Sequence, residues 1–258
     1  MTPFETYESR LPCAQNAVDA IDGWVGQFPP EYELKAGGVR LFDDPRVHFA
    51  LSRFGSVDGR DVLEIGPLEA AHTYSLSKAG AVVDAVEANK KAYLRCLVAK
   101  EILRISSANF YLGDAVKWLE ETPKRYDLIF ACGVLYHMSD PLRLIDAIGA
   151  RTNAVYFWTH FVDVDLLPPG DIRREHWNAT LETRRFHGAD IRLYRRSYAR
   201  ANENPDFCGG IIDEHRWMDR NSFLKALEAI GMNEITFDGE IEARNPHGPS
   251  FSVFARRS

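Results

Sequence analysis

The 258-residue chain has little of what holds small or secreted folds together. Its four cysteines, Cys13, Cys96, Cys132 and Cys208, are scattered and form no CxxC pair. That spacing excludes a zinc ribbon and argues against a disulfide framework, so reduced thiols in a cytoplasmic protein are expected. No uninterrupted apolar run approaches the roughly 18 residues of a membrane span, and no membrane partner is expected. Positive charge is in slight deficit, with 31 Lys and Arg against 37 Asp and Glu. A formal net charge of -6 and a pI near 5.8 exclude a general attraction for nucleic acid or anionic lipid. The opening stretch, residues 1–12, is acidic and polar, and is expected to be neither a signal nor a transit peptide. Repeats and low-complexity tracts are absent. So is any His/Asp/Glu cluster with metal-ligand spacing, and no metal is expected. There is no GxGxxG, which disfavours a Rossmann oxidoreductase.

What remains is an ordinary globular composition, 45% hydrophobic and 26% charged. A chain this long buries a sizeable core in one large domain without staples. Residues 1–57 read as an N-terminal helical preamble. Cys13 to Val25 is expected to be an amphipathic helix, with Val18, Ile21 and Trp24/Val25 on one face. Pro29-Pro30 ends it and Gly37-Gly38 marks a turn. From residue 58 the rhythm changes. Strands are predicted at Asp61 to Ile65, Ala81 to Val86, Asn109 to Leu112, Tyr126 to Ala131 and Ala154 to Thr159. Helices alternate with them at His72 to Ala79, Lys90 to Ile105, Ala115 to Glu121 and Pro141 to Ala150. This alternation implies an α/β fold: a parallel sheet with helices on both faces. Residues 161–214 lose the rhythm and read as a cap inserted after strand five. Asn221 to Ile230 is a further helix, followed by closing strands at Glu234 to Phe237 and Phe251 to Ala255.

Open α/β sheets bind ligands at the carboxyl ends of their strands. Four strand ends here carry suitable groups. After strand one comes Glu64-Ile-Gly-Pro-Leu-Glu-Ala-Ala-His-Thr73, where Gly66 allows a tight turn and close approach of a ligand. Glu87, with Ala88 and Asn89, follows strand two, where an acid can accept both hydroxyls of a ribose. Asp114 and Ala115 follow strand three, where a carboxylate can meet an adenine amino group or simply cap the helix. Cys132, Gly133 and His137 follow strand four.

This constellation resembles the class I S-adenosylmethionine (SAM)-dependent methyltransferases, from about Asp61 to Thr159. The resemblance implies a Rossmann-like SAM-binding domain over residues 58–258. It implies cofactor contacts by Glu64, Gly66, Pro67, His72, Thr73, Glu87, Ala88, Asn89, Asp114, Ala115, Cys132 and Gly133. Glu64 would meet the methionine amine. The family usually has two further glycines in the turn, where this chain has Leu68 and Ala70. The stretch Gly133-Val-Leu-Tyr-His-Met-Ser-Asp-Pro141 looks like the segment after strand four of the tRNA uridine carboxymethyltransferases, which use carboxy-SAM. Arg216-Trp-Met-Asp-Arg-Asn-Ser-Phe223 is faintly similar too. Those enzymes carry a large N-terminal region that the short preamble does not supply, so the likeness is taken as kinship of the catalytic domain.

His137 and His160 are the catalytic candidates, because histidine titrates near neutrality and an alcohol acceptor needs a base. Either can equally serve as a structural histidine bonded to backbone. His215 and Trp217 are placed to close the pocket. Arg184, Arg185, Arg192, Arg195, Arg196 and Arg200 are opposed within their span only by Asp190. They form either a solvated cap surface or a site for an anionic acceptor. The cap is expected to set acceptor specificity and add little to cofactor affinity. The expected reaction is methyl transfer to oxygen or nitrogen of a small-molecule or glycan-type acceptor. The alternatives are a tRNA-modifying enzyme using SAM or carboxy-SAM, and a SAM-binding scaffold without catalysis. The sequence sets neither the acceptor nor the oligomeric state.

Overall fold

The computed structural model describes residues 7–174, 177–204, 207–238 and 245–258. The first six residues of the preamble, and residues 175–176 and 205–206 of the expected cap, lie outside the described residues.

Strands β1 (Asp61–Ile65), β2 (Val82–Glu87), β3 (Ala108–Leu112), β4 (Leu128–Cys132) and β5 (Ala154–His160) lie parallel. They alternate with helices α3 (Ala71–Lys78), α4 (Lys90–Leu103), α5 (Ala115–Glu121) and α6 (Pro141–Arg151). The cap strands β6 (Trp177–Phe186), β7 (Ala189–Ser197) and β8 (Glu214–Met218) come next, then α7 (Arg220–Ala229), β9 (Glu234–Phe237) and β10 (Ser250–Arg256). The main sheet runs β3-β2-β1-β4-β5-β10-β9, with β10 antiparallel to both neighbours. Strand order reverses between β1 and β4, which opens a crevice at their carboxyl ends.

Period-two alternation separates the two faces of the sheet. On β4 and β5, Leu128, Phe130, Tyr156 and Trp158 join one core with residues of α3, α4 and α2 (Pro45–Phe54). Ile129, Ala131, Val155 and Phe157 join the other, with residues of α6 and α7. Helix starts are marked by short acids and amides at the crevice rim. Asn89, Asp114 and Asp140 accept backbone N–H groups of α4, α5 and α6.

Two expectations are corrected. The helix expected over Cys13 to Val25 is only α1 (Ala14–Asp19). Gly23 turns at a φ of 78°, and Trp24 and Val25 lie in no helix, with Gly26 bridged to Val39. Tertiary capture of the Val25 and Gly26 N–H groups overrides the helical period there. The cap is not aperiodic. β6 and β7 form a hairpin through His187 and Gly188, both at positive φ (43° and 87°), the two-residue turn that matches strand twist. β8 completes an antiparallel three-stranded sheet and carries the insertion past the expected limit of 214 to Met218. Ile191 and Leu193 on β7 are fully buried, and α7 packs on that strand.

Candidate active site

The crevice opens into one cavity of about 930 Å³. Its first half lies over β1, β2 and β3. Gly66 takes a φ of 69°, which strains any side chain, and a Cβ there would sit 3.0 Å from Val134 Cγ2, so the turn and the packing both favour glycine. Leu68 and Ala70 hold φ values of 55° and 65°. The turn therefore keeps left-handed geometry at the two positions without glycine, at a cost of roughly 1–2 kcal/mol per residue. Glu87 receives the Leu68 N–H on Oε2 (3.1 Å) and the Asn89 N–H on Oε1 (2.8 Å). Each carboxylate oxygen has a second lone pair, so these bonds leave capacity for a ligand. Burial raises the Glu87 pKa, opposed by those N–H groups. Asp114 caps α5 through Oδ1.

Glu69, in the middle of this turn, is buried and ties the preamble to it. Its carboxylate accepts the Val25 and Gly26 N–H groups, each at 2.7 Å, and lies 3.5 Å from Arg95 Nε. A second tie starts at Asp44, the N-cap of α2. Arg46 grips Asp44 through Nε (2.9 Å) and Nη2 (2.6 Å) and lies over the Trp158 ring at 4.8 Å. His72 Nε2 lies 2.8 Å from Asp44 Oδ2, and its Nδ1 is 3.8 Å from Glu64 Oε1. Burial works against the Asp44 carboxylate, but the bonds from His72 and Arg46 outweigh it and hold its pKa well below the usual range. Burial pushes Glu64 the other way, to about 7, against the pull of His72 and a bond from the Thr73 hydroxyl.

The second half lies beyond β4 and β5, under the cap. Tyr136, Trp158, Tyr198 and Trp217 line it with His137, His160, His215 and His247. His160 stacks on Trp217 (5.0 Å between centroids, 6° between planes). Its Nδ1 lies 3.0 Å from Gly248 O and 3.3 Å from Pro249 O. His137 Nδ1 lies 2.5 Å from Tyr198 Oη, which also accepts the Gly210 N–H. Burial, then the neighbouring histidines, depresses His137 to a pKa of about 3; burial likewise takes His160 to about 4. Both rings are neutral at pH 7.

Gly66, Pro67, His72, Glu87, Ala88, Asn89, Asp114, Ala115, Cys132, Gly133, His137 and His160 all line this cavity. Glu64 and Thr73 do not. At 1% and 0% exposure they sit behind the turn, where Glu64 meets His72 and Thr73 rather than open space. The arginine cluster dissolves into ion pairs: Arg184 with Glu182, Arg185 with Asp190, Arg192 with Asp219, Arg195 with Glu214 and Arg200 with Glu203. Of the six, Arg196 faces the cavity, with its guanidinium 3.8 Å from the Trp217 centroid. The cap also reaches the first half, since Asn89 Nδ2 donates to Phe207 O at 3.1 Å and Arg95 Nη2 lies 3.7 Å from Cys208 Sγ. Val25, Leu41 and Arg46 of the preamble line the cavity too. Sequence reasoning missed them because no local pattern marks a segment that acts only by folding back. Among the described residues no cluster of three or more His, Cys, Asp or Glu could hold a metal, and no helix is long and apolar enough to cross a membrane.

No family model matches the chain. A tRNA U34 carboxymethyltransferase of Campylobacter hominis is 28% identical over 119 residues, which cover 45% of this chain and 41% of that protein's length. The match thus spans about two fifths of that relative. Among solved structures, the N-terminal domain of EvdMO1 with SAH bound superposes with a TM-score of 0.70 at 23% identity, covering 95% of both chains. The same domain in the presence of SAH and D-fucose gives 0.69 at 22% identity, again over 95% of both. The magnesium protoporphyrin IX methyltransferase ChlM from Synechocystis PCC 6803, with bound SAH, gives 0.55 at 16% identity, covering 83% of this chain and 81% of that one. The chain has the class I methyltransferase fold.

Proposed function

We propose that this chain is a SAM-dependent methyltransferase that acts on oxygen or nitrogen of a small-molecule or glycan-type acceptor. One observation carries the reading. A single cavity joins a left-handed glycine turn and two rim carboxylates to a chamber of aromatic rings and histidines. At about 930 Å³ it lies near the top of the usual range for ligand pockets, roughly 300–1,000 Å³, with room for a cofactor and a small acceptor together. SAM, when bound, supplies a methyl group on an electrophilic sulfonium. Glu87 has spare lone pairs for ribose hydroxyls, and Asp114 Oδ2, which makes no hydrogen bond among the described residues, can meet an adenine amino group. The Arg46 guanidinium, oriented by Asp44 on the rim beside His72, is suited to the methionine carboxylate. Glu64 acts through His72, as a positioning residue. The aromatic walls exclude water and orient the acceptor, which is much of what methyl transfer requires.

The turn is kept at Leu68 and Ala70 without the family's two further glycines, which counts against the scaffold alternative. The EvdMO1 likeness supports a sugar-type acceptor, and the partial tRNA carboxymethyltransferase likeness supports the second reading. Calorimetric titration with SAM and SAH is the first test, and a folded protein that binds neither defeats the proposal. SAH release is then followed with deoxysugars, nucleotide-linked sugars, small hydroxylated aromatics and bulk tRNA. Turnover confined to tRNA, with steep salt dependence, would establish the second reading instead.

A further inference from the structure

Two of the four histidines that line the chamber, His160 and His137, have hydrogen bonds that give them opposite polarity. His160 Nδ1 lies against two backbone carbonyl oxygens, of Gly248 and Pro249. A carbonyl only accepts, so Nδ1 carries the ring's single proton and Nε2 is left with its lone pair. Nε2 makes no bond among the described residues. His137 is the reverse case. Tyr198 Oη already accepts the Gly210 N–H at 3.2 Å, and its own proton has one neighbouring acceptor among the described residues, His137 Nδ1 at 2.5 Å. If His137 Nδ1 carried the proton instead, a largely enclosed phenol would accept twice and leave its O–H unsatisfied, which costs about 1–3 kcal/mol. His137 is therefore protonated on Nε2. The Tyr136 ring packs against both histidines, with centroids 4.1 Å from His137 and 4.6 Å from His160.

Resting on the methyl-transfer reading above, we propose that the nucleophile is a neutral acceptor hydroxyl whose proton passes to Nε2 of His160, while His137 Nε2–H holds a second oxygen of the same acceptor. The hydroxyl oxygen donates a lone pair to the methyl carbon and forms the O–C bond. The C–S bond breaks with its electron pair returning to sulfur, which gives neutral SAH. The O–H proton moves to His160 Nε2, giving an imidazolium held by the Gly248 and Pro249 carbonyls. A hydroxyl suits this arrangement because it arrives neutral and becomes strongly acidic only as the O–C bond forms, so a weak base suffices. An amine fits less well: at neutral pH it arrives as an ammonium, and the chamber faces it with the guanidinium group of Arg196. A carboxylate nucleophile has no proton for the His160 lone pair. Tyr198 is a positioning residue, acting through His137.

The test is long-range proton–nitrogen NMR of the uniformly nitrogen-15-labelled wild-type protein, with His160→Gln and His137→Gln used to assign the two rings. The expected spectrum shows an unprotonated Nε2 on His160 and an unprotonated Nδ1 on His137. Tyr198→Phe should change the His137 pattern and leave His160 as it was. A protonated His160 Nε2, or a protonated His137 Nδ1, overturns the proposal even if SAM binds calorimetrically. Failure of SAM binding with both tautomers as stated removes the methyl-transfer reading instead. A matched assay compares D-fucose with an aminodeoxy analogue of it, each with SAM. SAH release from the amino sugar alone overturns the proposal, and release from D-fucose that falls at least about 100-fold in His160→Gln supports it.

Discussion

The two halves of the cavity are built differently. Over β1 to β3 the groups come from short turns directly after strands, and several are backbone or acids pinned by backbone: Gly66, Glu87 and the Asp114 cap. Beyond β4 and β5 the chamber is assembled from Tyr136, Trp158, Tyr198, Trp217 and His247, on separate segments brought together by the cap and by the β9–β10 connection. On the proposed reading, a local substitution in the first half should change cofactor affinity. The second is a packed set of rings in which a substitution should change turnover while the cofactor still binds.

The largest expected effect breaks that comparison if it fails. His160→Ala should lower kcat by about 10²–10⁴-fold, the usual general-base contribution, with calorimetric SAM affinity near wild type. A parallel loss of SAM affinity would mean that the halves are not separable.

Next is Glu64, behind the glycine turn. Its folded pKa of about 7 lies above the ordinary 4.5, so the native state keeps a proton that the unfolded chain has lost. Stability from this group is present below about pH 4.5 and is lost as pH rises towards 7, by up to about 3 kcal/mol. Glu64→Gln removes the charge and keeps the shape. Its stability relative to wild type in urea denaturation should rise between pH 5 and pH 8. An unchanged difference across that window would show that Glu64 is ionised in the fold.

Glu87→Ala sharpens the contrast from the other side. SAM binding should weaken by about 1.5–3 kcal/mol, the scale of a hydrogen bond to a charged group, while turnover at saturating SAM stays close to wild type. Equal affinities by calorimetry would remove Glu87 from the cofactor site. The smallest effect belongs to the cap surface. Arg185 and Arg200 pair with Asp190 and Glu203 in the open, and replacing both by Ala should change stability by less than about 1 kcal/mol and leave acceptor KM unaltered. A raised KM would restore the anionic-acceptor surface that their ion pairing argues against.

The sequence by itself determined the alternation of strands and helices, and the acids and glycine at the ends of β1 to β3. These follow from local period and turn chemistry, which a linear chain displays directly. Trp158 and His160 both reach the cavity because alternation along β5 turns them to one side, which is a local property. Only the tertiary structure decided the rest. Glu69 looks like an intruder in a glycine turn until Val25 and Gly26 arrive from more than forty positions away to use its carboxylate. The arginines from 184 to 200 look uncompensated within their own span, yet partners such as Glu214 and Asp219 come from outside it. The two histidines are the same residue type at neighbouring strand ends. What separates a proton acceptor from a proton donor is whether a carbonyl or a phenol faces Nδ1, and that depends on Gly248 and Tyr198, distant in sequence and adjacent only once the chain has folded.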